Sequence, residues 1–293
     1  MLLIYKQPFN LPENFRVEVD FILFRKFCSI FLCLILILLV FRIEVSSGHP
    51  NIFWERLSQG LLKTSLSNES LSGHVIIIKV DLAYYNIRLL CASENENLPR
   101  TLLEWSEEFN LACVINASMF RQDKPLLSTG YMKHFEHKNN PAINPAYSSF
   151  LLFNPKNPEQ PPLRFLDMDQ HFDWKSIIES YNTVIQNYRM ISGGSRAGWE
   201  ETKRLHNIAA IGMDSKGQVL FIHSSMSASP RYFIDMLLSL PLNIVNLAYL
   251  DGGSHSALFC SVSEELTFHE PDSFATSTIR LPNVIGVAPN GFN

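Results

Sequence analysis

Asn246-Leu247-Ala248-Tyr249-Leu250-Asp251-Gly252-Gly253-Ser254-His255-Ser256 couples an apolar run to a small polar turn. The run Asn246 to Leu250 has the composition of a buried strand, and it ends in a carboxylate. Gly252 and Gly253 let the backbone turn tightly and approach a ligand closely. Ser254, His255 and Ser256 then supply hydroxyls and an imidazole. A strand ending in an acid, followed by Gly-Gly and hydroxyls, suits a sugar or a phosphate. The plainer alternative is a tight turn with a solvent-facing Asp, so the case depends on what accompanies it elsewhere.

Other segments set the fold class. His74 to Val80 is β-branched and reads as a strand, and Tyr85 to Leu90 alternates as a half-buried strand does. Thr101 to Phe109 has helical spacing, with Thr101 and Glu104 placed as a capping box. Leu111 to Ile115 is a short apolar strand ending at Asn116, and Tyr147 to Phe153 is another strand. Asn154-Pro155 and Pro158 to Pro162 mark a surface loop. Phe172 to Tyr181 and Pro230 to Leu240 read as helices, the second with Pro230 in its first turn. Ala209 to Asp214 and Gln218 to His223 flank Ser215-Lys216-Gly217 as a hairpin. Val284 to Ala288 is a last strand. Many strands and few helices, not in strict alternation, predict an α+β fold with a mixed multi-stranded sheet core and a few flanking helices.

Asn116-Ala117-Ser118-Met119-Phe120 repeats the design of the late stretch, an apolar strand and then a small polar turn. Asn116 offers both a donor and an acceptor. Ser128-Thr129-Gly130-Tyr131-Met132 is a third cluster, followed by His134 and His137. Their spacing would suit a metal on a helix, but the stretch is rich in Pro, Asn and Gly, so they read as solvated loop histidines. Gln186 to Met190 and Lys203 to Asn207 each place a cation, Arg189 or Arg204, just outside an apolar strand. A buried Arg there would suit a phosphate, and a surface charge is the ordinary alternative.

Taken in order, Val114 to Phe120, Gly130-Tyr131, Gln186, Ala210 to Asp214 with Gly217, and Tyr249 to Phe259 resemble the phosphodiester glycosidase family over roughly residues 50 to 290. Four residues depart from its pattern. Ser118 and Ser254 stand where the family has Gly, and Tyr188-Arg189 replaces a Gly-Pro pair. The resemblance implies cleavage of a sugar-1-phosphodiester at the anomeric carbon. Asp251 is then the catalytic carboxylate, with Asn116 and His255 beside it in catalysis. Gly252, Gly253, Ser254, Ser118, Gly130, Gln186, Arg189 and Arg204 are the substrate-binding candidates, the two arginines for the phosphate. Asp214 reads as structural, and no metal or cofactor is expected. A non-catalytic envelope module that binds glycans or glycan phosphates is the rival from another class. A cysteine hydrolase on Cys113 or Cys260 is a third reading.

The 293-residue chain is 46% hydrophobic with a formal net charge of -4, enough apolar material for a core and too acidic to favour nucleic acid as partner. Phe27 to Phe41 is almost uninterrupted apolar sequence behind Arg25 and Lys26. It is short of the about 20 residues that a membrane helix needs, and it suits a secretory signal or an anchor. The expected organisation is a cytoplasmic segment over 1–26, a signal peptide or transmembrane anchor over 27–45, a linker over 46–52 and a single domain over 53–290. The positive charges keep the N-terminus inside and export the rest, periplasmic or extracellular, released or held to the membrane by 27–45. Cys91, Cys113 and Cys260 in the exported part allow one disulfide, and their spacing does not say which.

Overall fold

The run Val75 to Ile78 is apolar without alternation because both faces of its strand are buried. Ile76, Ile78 and Val80 point into one core and Val75 and Ile77 into another. The computed structural model describes residues 52–68, 71–261 and 279–291, all within the unit spanning 49–293. The apolar segment at 27–45 lies outside the described residues, and no described helix is long and apolar enough to cross a membrane.

The strands are β1 (Glu55–Ser58), β2 (Leu61–Asn68), β3 (Leu71–Val80), β4 (Tyr85–Cys91), β5 (Cys113–Asn116), β6 (Met132–His134), β7 (His137–Asn140) and β8 (Ser149–Pro155). They continue with β9 (Leu163–Asp167), β10 (Tyr181–Ser192), β11 (Ser195–Arg196), β12 (His206–Asp214), β13 (Val219–Ala228), β14 (Ile244–Gly252), β15 (Leu258–Cys260) and β16 (Asn283–Pro289). Three helices are described: α1 (Leu102–Phe109), α2 (Trp174–Glu179) and α3 (Pro230–Ser239). A large sheet runs β1-β2-β3-β13-β12-β14-β10-β6-β7, with β8 and β11 also on β10 and β9 on β8. A small sheet runs β15-β5-β16-β4.

The layers follow from which face each strand buries. Ile78, Phe221, Ile211 and Leu250 of the large sheet meet Leu89, Ile115 and Ile285 of the small sheet. Each such side chain contributes about 1.5–3 kcal/mol on burial, so this interface is the main apolar core. On the outer face of the large sheet, Ile77, Leu220 and Leu247 pack under Phe233, Ile234 and Leu237 of α3. On the outer face of the small sheet, Val114 and Val284 pack under Leu102 and Trp105 of α1. The fold is sheet-dominated, two sheets with a helix over each.

The expected mixed sheet is corrected: every described strand pair is antiparallel. Parallel neighbours need long crossover connections, usually helical. Here the connection from β4 through α1 to β5 leads to strands that flank β16 from opposite sides. The local expectations match more closely. Thr101 and Glu104 form the capping box of α1. Ser229 caps α3 with Pro230 in its first turn. The β12–β13 hairpin turns at Asp214, whose Oδ1 accepts from the Lys216 and Gln218 backbone N–H groups at 2.9 and 3.0 Å. The helix read from Phe172 is shorter, because Tyr181 already begins β10. His134 and His137 face each other across the β6–β7 hairpin, paired with Glu94 and Ser93.

Candidate functional site

The chain runs from β14 in the large sheet to β15 in the small sheet through Asp251 to Ala257, and this crossing builds the site. Register with β12 slips at Leu250, where Ala209 pairs Asp251 and the next residue, Ala210, pairs Tyr249. Such a bulge re-aims the side chains at a strand end. Asp251 is 8% exposed, and its Oδ1 accepts from the Gly252 backbone N–H at 2.7 Å. Burial pushes its carboxyl up to about 6, against the opposing pull of that hydrogen bond and of nearby His255. At neutral pH the group is mostly an anion held in a dry setting, poised to respond to positive charge that develops nearby.

Gly252 is required by close approach. A Cβ there would lie 2.1 Å from Tyr249 Oη and 2.4 Å from His206 Cδ2. Gly253 has φ +67°, a left-handed conformation that favours glycine. Gly253 to His255 then forms one 3-10 turn. Ser254 is exposed, and His255 lies edge-on to Phe120 with ring centroids 4.9 Å apart.

That ring contact ties the late turn to the Asn116–Phe120 turn. Asn116 ends β5, is 1% exposed, and accepts at Oδ1 from the Ala257 N–H at 3.3 Å. Its Nδ2 is buried and has no hydrogen-bond partner among the described residues. An unpaired buried donor costs about 1–3 kcal/mol, and such groups cluster where a protein meets a ligand or ordered water. Asn187 of β10 donates to the Ala117 carbonyl at 3.3 Å and draws the same turn against the large sheet.

A cavity of about 630 Å³ opens beside this junction. It is lined by Met119 from the first turn, Tyr188 and Arg189 from β10, Trp199 and Glu200 from the loop after β11, and His206 and Tyr249 from β12 and β14. Tyr249 Oη and His206 Nε2 are 3.2 Å apart. Burial holds the His206 imidazole below its ordinary range, which favours its neutral form. Burial, and after it the nearby Asp251 carboxylate, pushes the Tyr249 phenol well above the tyrosine range. Asp251 acts in the same sense on Tyr147, after burial and Tyr188. The carboxylate is therefore near enough to both phenols to act on them electrostatically.

The other sequence candidates fall into two groups. Gly130, Gln186 and Ser118 are used inside the protein. Gln186 is fully buried, accepts from the Tyr131 and Asn144 N–H groups, and donates to the Asn144 and Tyr147 carbonyls. Gly130 lies against it, where a Cβ would be 2.6 Å from the Gln186 carbonyl oxygen. Ser118 Oγ donates to Ser128 Oγ at 2.9 Å, so the hydroxyl at this family glycine position is taken up internally. Of the two arginines, Arg204 lies just outside its strand as read and Arg189 does not. Arg189 lies within β10, not outside it, and its guanidinium donates to Asp167 and, at 2.7 Å, to Asp169. Arg204 is exposed in the loop before β12 and is not among the residues lining the cavity. The cysteine-hydrolase reading is overturned. Cys113 and Cys260 are joined in a disulfide, and Cys91 is a buried thiol that burial pushes far above the thiolate range.

Sequence reading missed Trp199, Glu200 and the pairing of His206 with Tyr249 as parts of one wall. The available signal was local: Tyr249 is two residues before Asp251, and His206 two after Arg204. Among the described residues no group of three or more His, Cys, Asp or Glu side chains is placed to hold a metal.

No curated protein matches the chain. Among solved structures, a hypothetical protein from Synechocystis is similar at TM-score 0.55 and 13% identity, over 81% of this chain and 64% of that one. The chain thus spans under two thirds of that protein's length. The zebrafish N-acetylglucosamine-1-phosphodiester alpha-N-acetylglucosaminidase catalytic domain is similar at TM-score 0.51 and 14% identity, over 81% of this chain and 82% of that one. At these identities the likeness is one of fold. A family model described as phosphodiester glycosidase matches residues 109–288, more than half of the chain and both turns of the site. The chain belongs to the phosphodiester glycosidase family.

Proposed function

We propose that the chain is an exported hydrolase that cleaves sugar-1-phosphodiesters at the anomeric carbon. The observation that carries the reading is Asp251, a buried carboxylate held near pH 6 at the junction of the two sheets. Breaking the bond between the anomeric carbon and the phosphate oxygen leaves an oxocarbenium-like centre, which a carboxylate stabilises or attacks. Asn116 Nδ2, buried and unpaired, is the candidate donor to a sugar hydroxyl. His255, and His206 through Tyr249, are the candidates for moving a proton to or from the attacking water. A phosphodiester is a good leaving group, so a strong general acid is not needed. The zebrafish enzyme's name describes the same class of bond. Export is supported by the apolar segment behind Arg25 and Lys26 and by a Cys113–Cys260 disulfide, which suits an oxidising compartment.

The second reading is a module that binds glycans or glycan phosphates without turnover. Of its two ligands the arginines favour the neutral glycan: Arg189 is neutralised by two carboxylates, and Arg204 stands off the cavity. Incubation of the full chain with a panel of sugar-1-phosphodiesters, followed by mass detection of free sugar and phosphomonoester, separates the two. Release of both products supports the hydrolase. Saturable binding with no release from any member supports the binding module.

A further inference from the structure

The cavity, which Tyr249 lines two residues before Asp251 and which Asp251 itself does not line, has the wrong charge for a phosphate and the right walls for a sugar ring. Arg189 is the only permanent cation among the residues lining it. Its guanidinium is paired with Asp167 and Asp169, and Asp167 is itself buried and also accepts from Ser192 Oγ at 2.8 Å. An entering phosphate would compete with two carboxylates already in place, so it meets repulsion as well as an occupied fork. His206 is the other basic group lining the cavity, and burial disfavours its charged form.

The walls are aromatic and fixed. Trp199 packs against Tyr188 at 5.8 Å and against Tyr249 at 5.7 Å between ring centroids. Trp199 Nε1 donates to the Arg189 carbonyl at 2.6 Å, which sets the plane of the indole. The negative face of an aromatic ring attracts the polarised C–H face of a pyranose, while hydroxyls at the ring's edge need polar groups at the rim. Ser148, Glu200 and His206 supply those groups here. The volume, about 630 Å³, is that of a small-molecule site.

We propose that this cavity is a neutral-sugar subsite, with Trp199 as the stacking platform and Tyr188 and Tyr249 as its flanks. The sugar ring occupies the aromatic cavity, and the phosphate lies on the other side of the scissile bond, away from Arg189. As a subsite of the reaction the proposal rests on the glycosidase reading, but as a binding site it is testable without turnover.

The test uses the full chain in a detergent without a sugar headgroup, with methyl hexopyranosides and inorganic phosphate as probes. Saturation-transfer NMR should show ring protons of at least one methyl hexopyranoside in contact with the wild type. Trp199→Ala should weaken that binding about tenfold, which is ~1.4 kcal/mol. Trp199→Phe, which keeps a ring, should restore most of it. Inorganic phosphate should not compete. Unchanged glycoside binding in a folded Trp199→Ala protein overturns the subsite. So does displacement of the glycoside by phosphate in the wild type, a result that does not depend on any variant folding. If glycosides bind through Trp199 but no sugar-1-phosphodiester is cleaved, the glycosidase reading falls and the sugar site stands. If cleavage proceeds and Trp199→Ala keeps the wild-type KM, the subsite falls and the glycosidase reading stands.

Discussion

Asp251→Asn should make the protein more stable at neutral pH while disabling it. Burial holds the Asp251 carboxyl at about 6 instead of its ordinary 3.8, so ionising it in the fold costs about 3 kcal/mol more than in the unfolded chain. The sign follows from linkage. A carboxyl whose folded value is raised binds its proton more tightly when folded, so the contribution of Asp251 to stability is greatest below about pH 4. It declines between about 4 and 6 and stays lower above. Asparagine carries no charge to desolvate, and its Oδ1 still accepts from the Gly252 N–H that Asp251 uses at 2.7 Å. At pH 7.5 the variant should therefore gain up to about 3 kcal/mol, a Tm rise of roughly 5–10 °C for a unit of this size. At pH 4 the difference should shrink toward zero. Differential scanning calorimetry of both proteins across pH 4 to 8 measures this directly. A variant that melts at or below the wild type at pH 7.5, with a difference that does not change with pH, would refute the claim that Asp251 is a desolvated anion.

If the ionised Asp251 is the working form, kcat/KM should rise with pH through about 6 and level off above it, as a pH–rate profile on any cleaved substrate will show. Gly252→Ala should cost activity far more than stability, because its Cβ meets Tyr249 Oη and His206 Cδ2 at 2.1 and 2.4 Å and must push the wall back. Parallel assays of turnover and urea midpoint check this, and near wild-type turnover would contradict it. Cys113→Ser should destabilise by about 2–5 kcal/mol, since the disulfide closes a span of 147 residues. Reductant should lower the urea midpoint of the wild type and leave that of the variant unchanged.

What the sequence disclosed was local chemistry. Thr101 and Glu104 announce α1 because a capping box is made by residues three apart. Gly217 and Asp214 announce the β12–β13 turn because both act within five residues. The two site turns were legible for the same reason, as each is an apolar strand running into small polar residues. Strand β2 was not read, because Lys63 and Thr64 are buried within it and break the alternation. In β10 the buried Gln186 and Asn187 do the same, and Arg189 inside the strand looked like a residue beyond its end. The cavity was illegible because its wall is assembled from several segments far apart in the chain. His206 and Tyr249, which meet in that wall, are 43 positions apart, and the plane of the loop residue Trp199 is set by a backbone carbonyl of β10. Such long-range pairing leaves no mark in periodicity or spacing.

The central claim is that Asp251 supplies the negative charge for cleavage of a sugar-1-phosphodiester. The most direct measurement is the ratio of kcat for wild type and Asp251→Asn on the best substrate of a sugar-1-phosphodiester panel, with thermal melting as the fold control. The account predicts a ratio of about 10² to 10³, the usual cost of losing one preorganised electrostatic contact. A folded Asp251→Asn protein that turns over at the wild-type rate would contradict it.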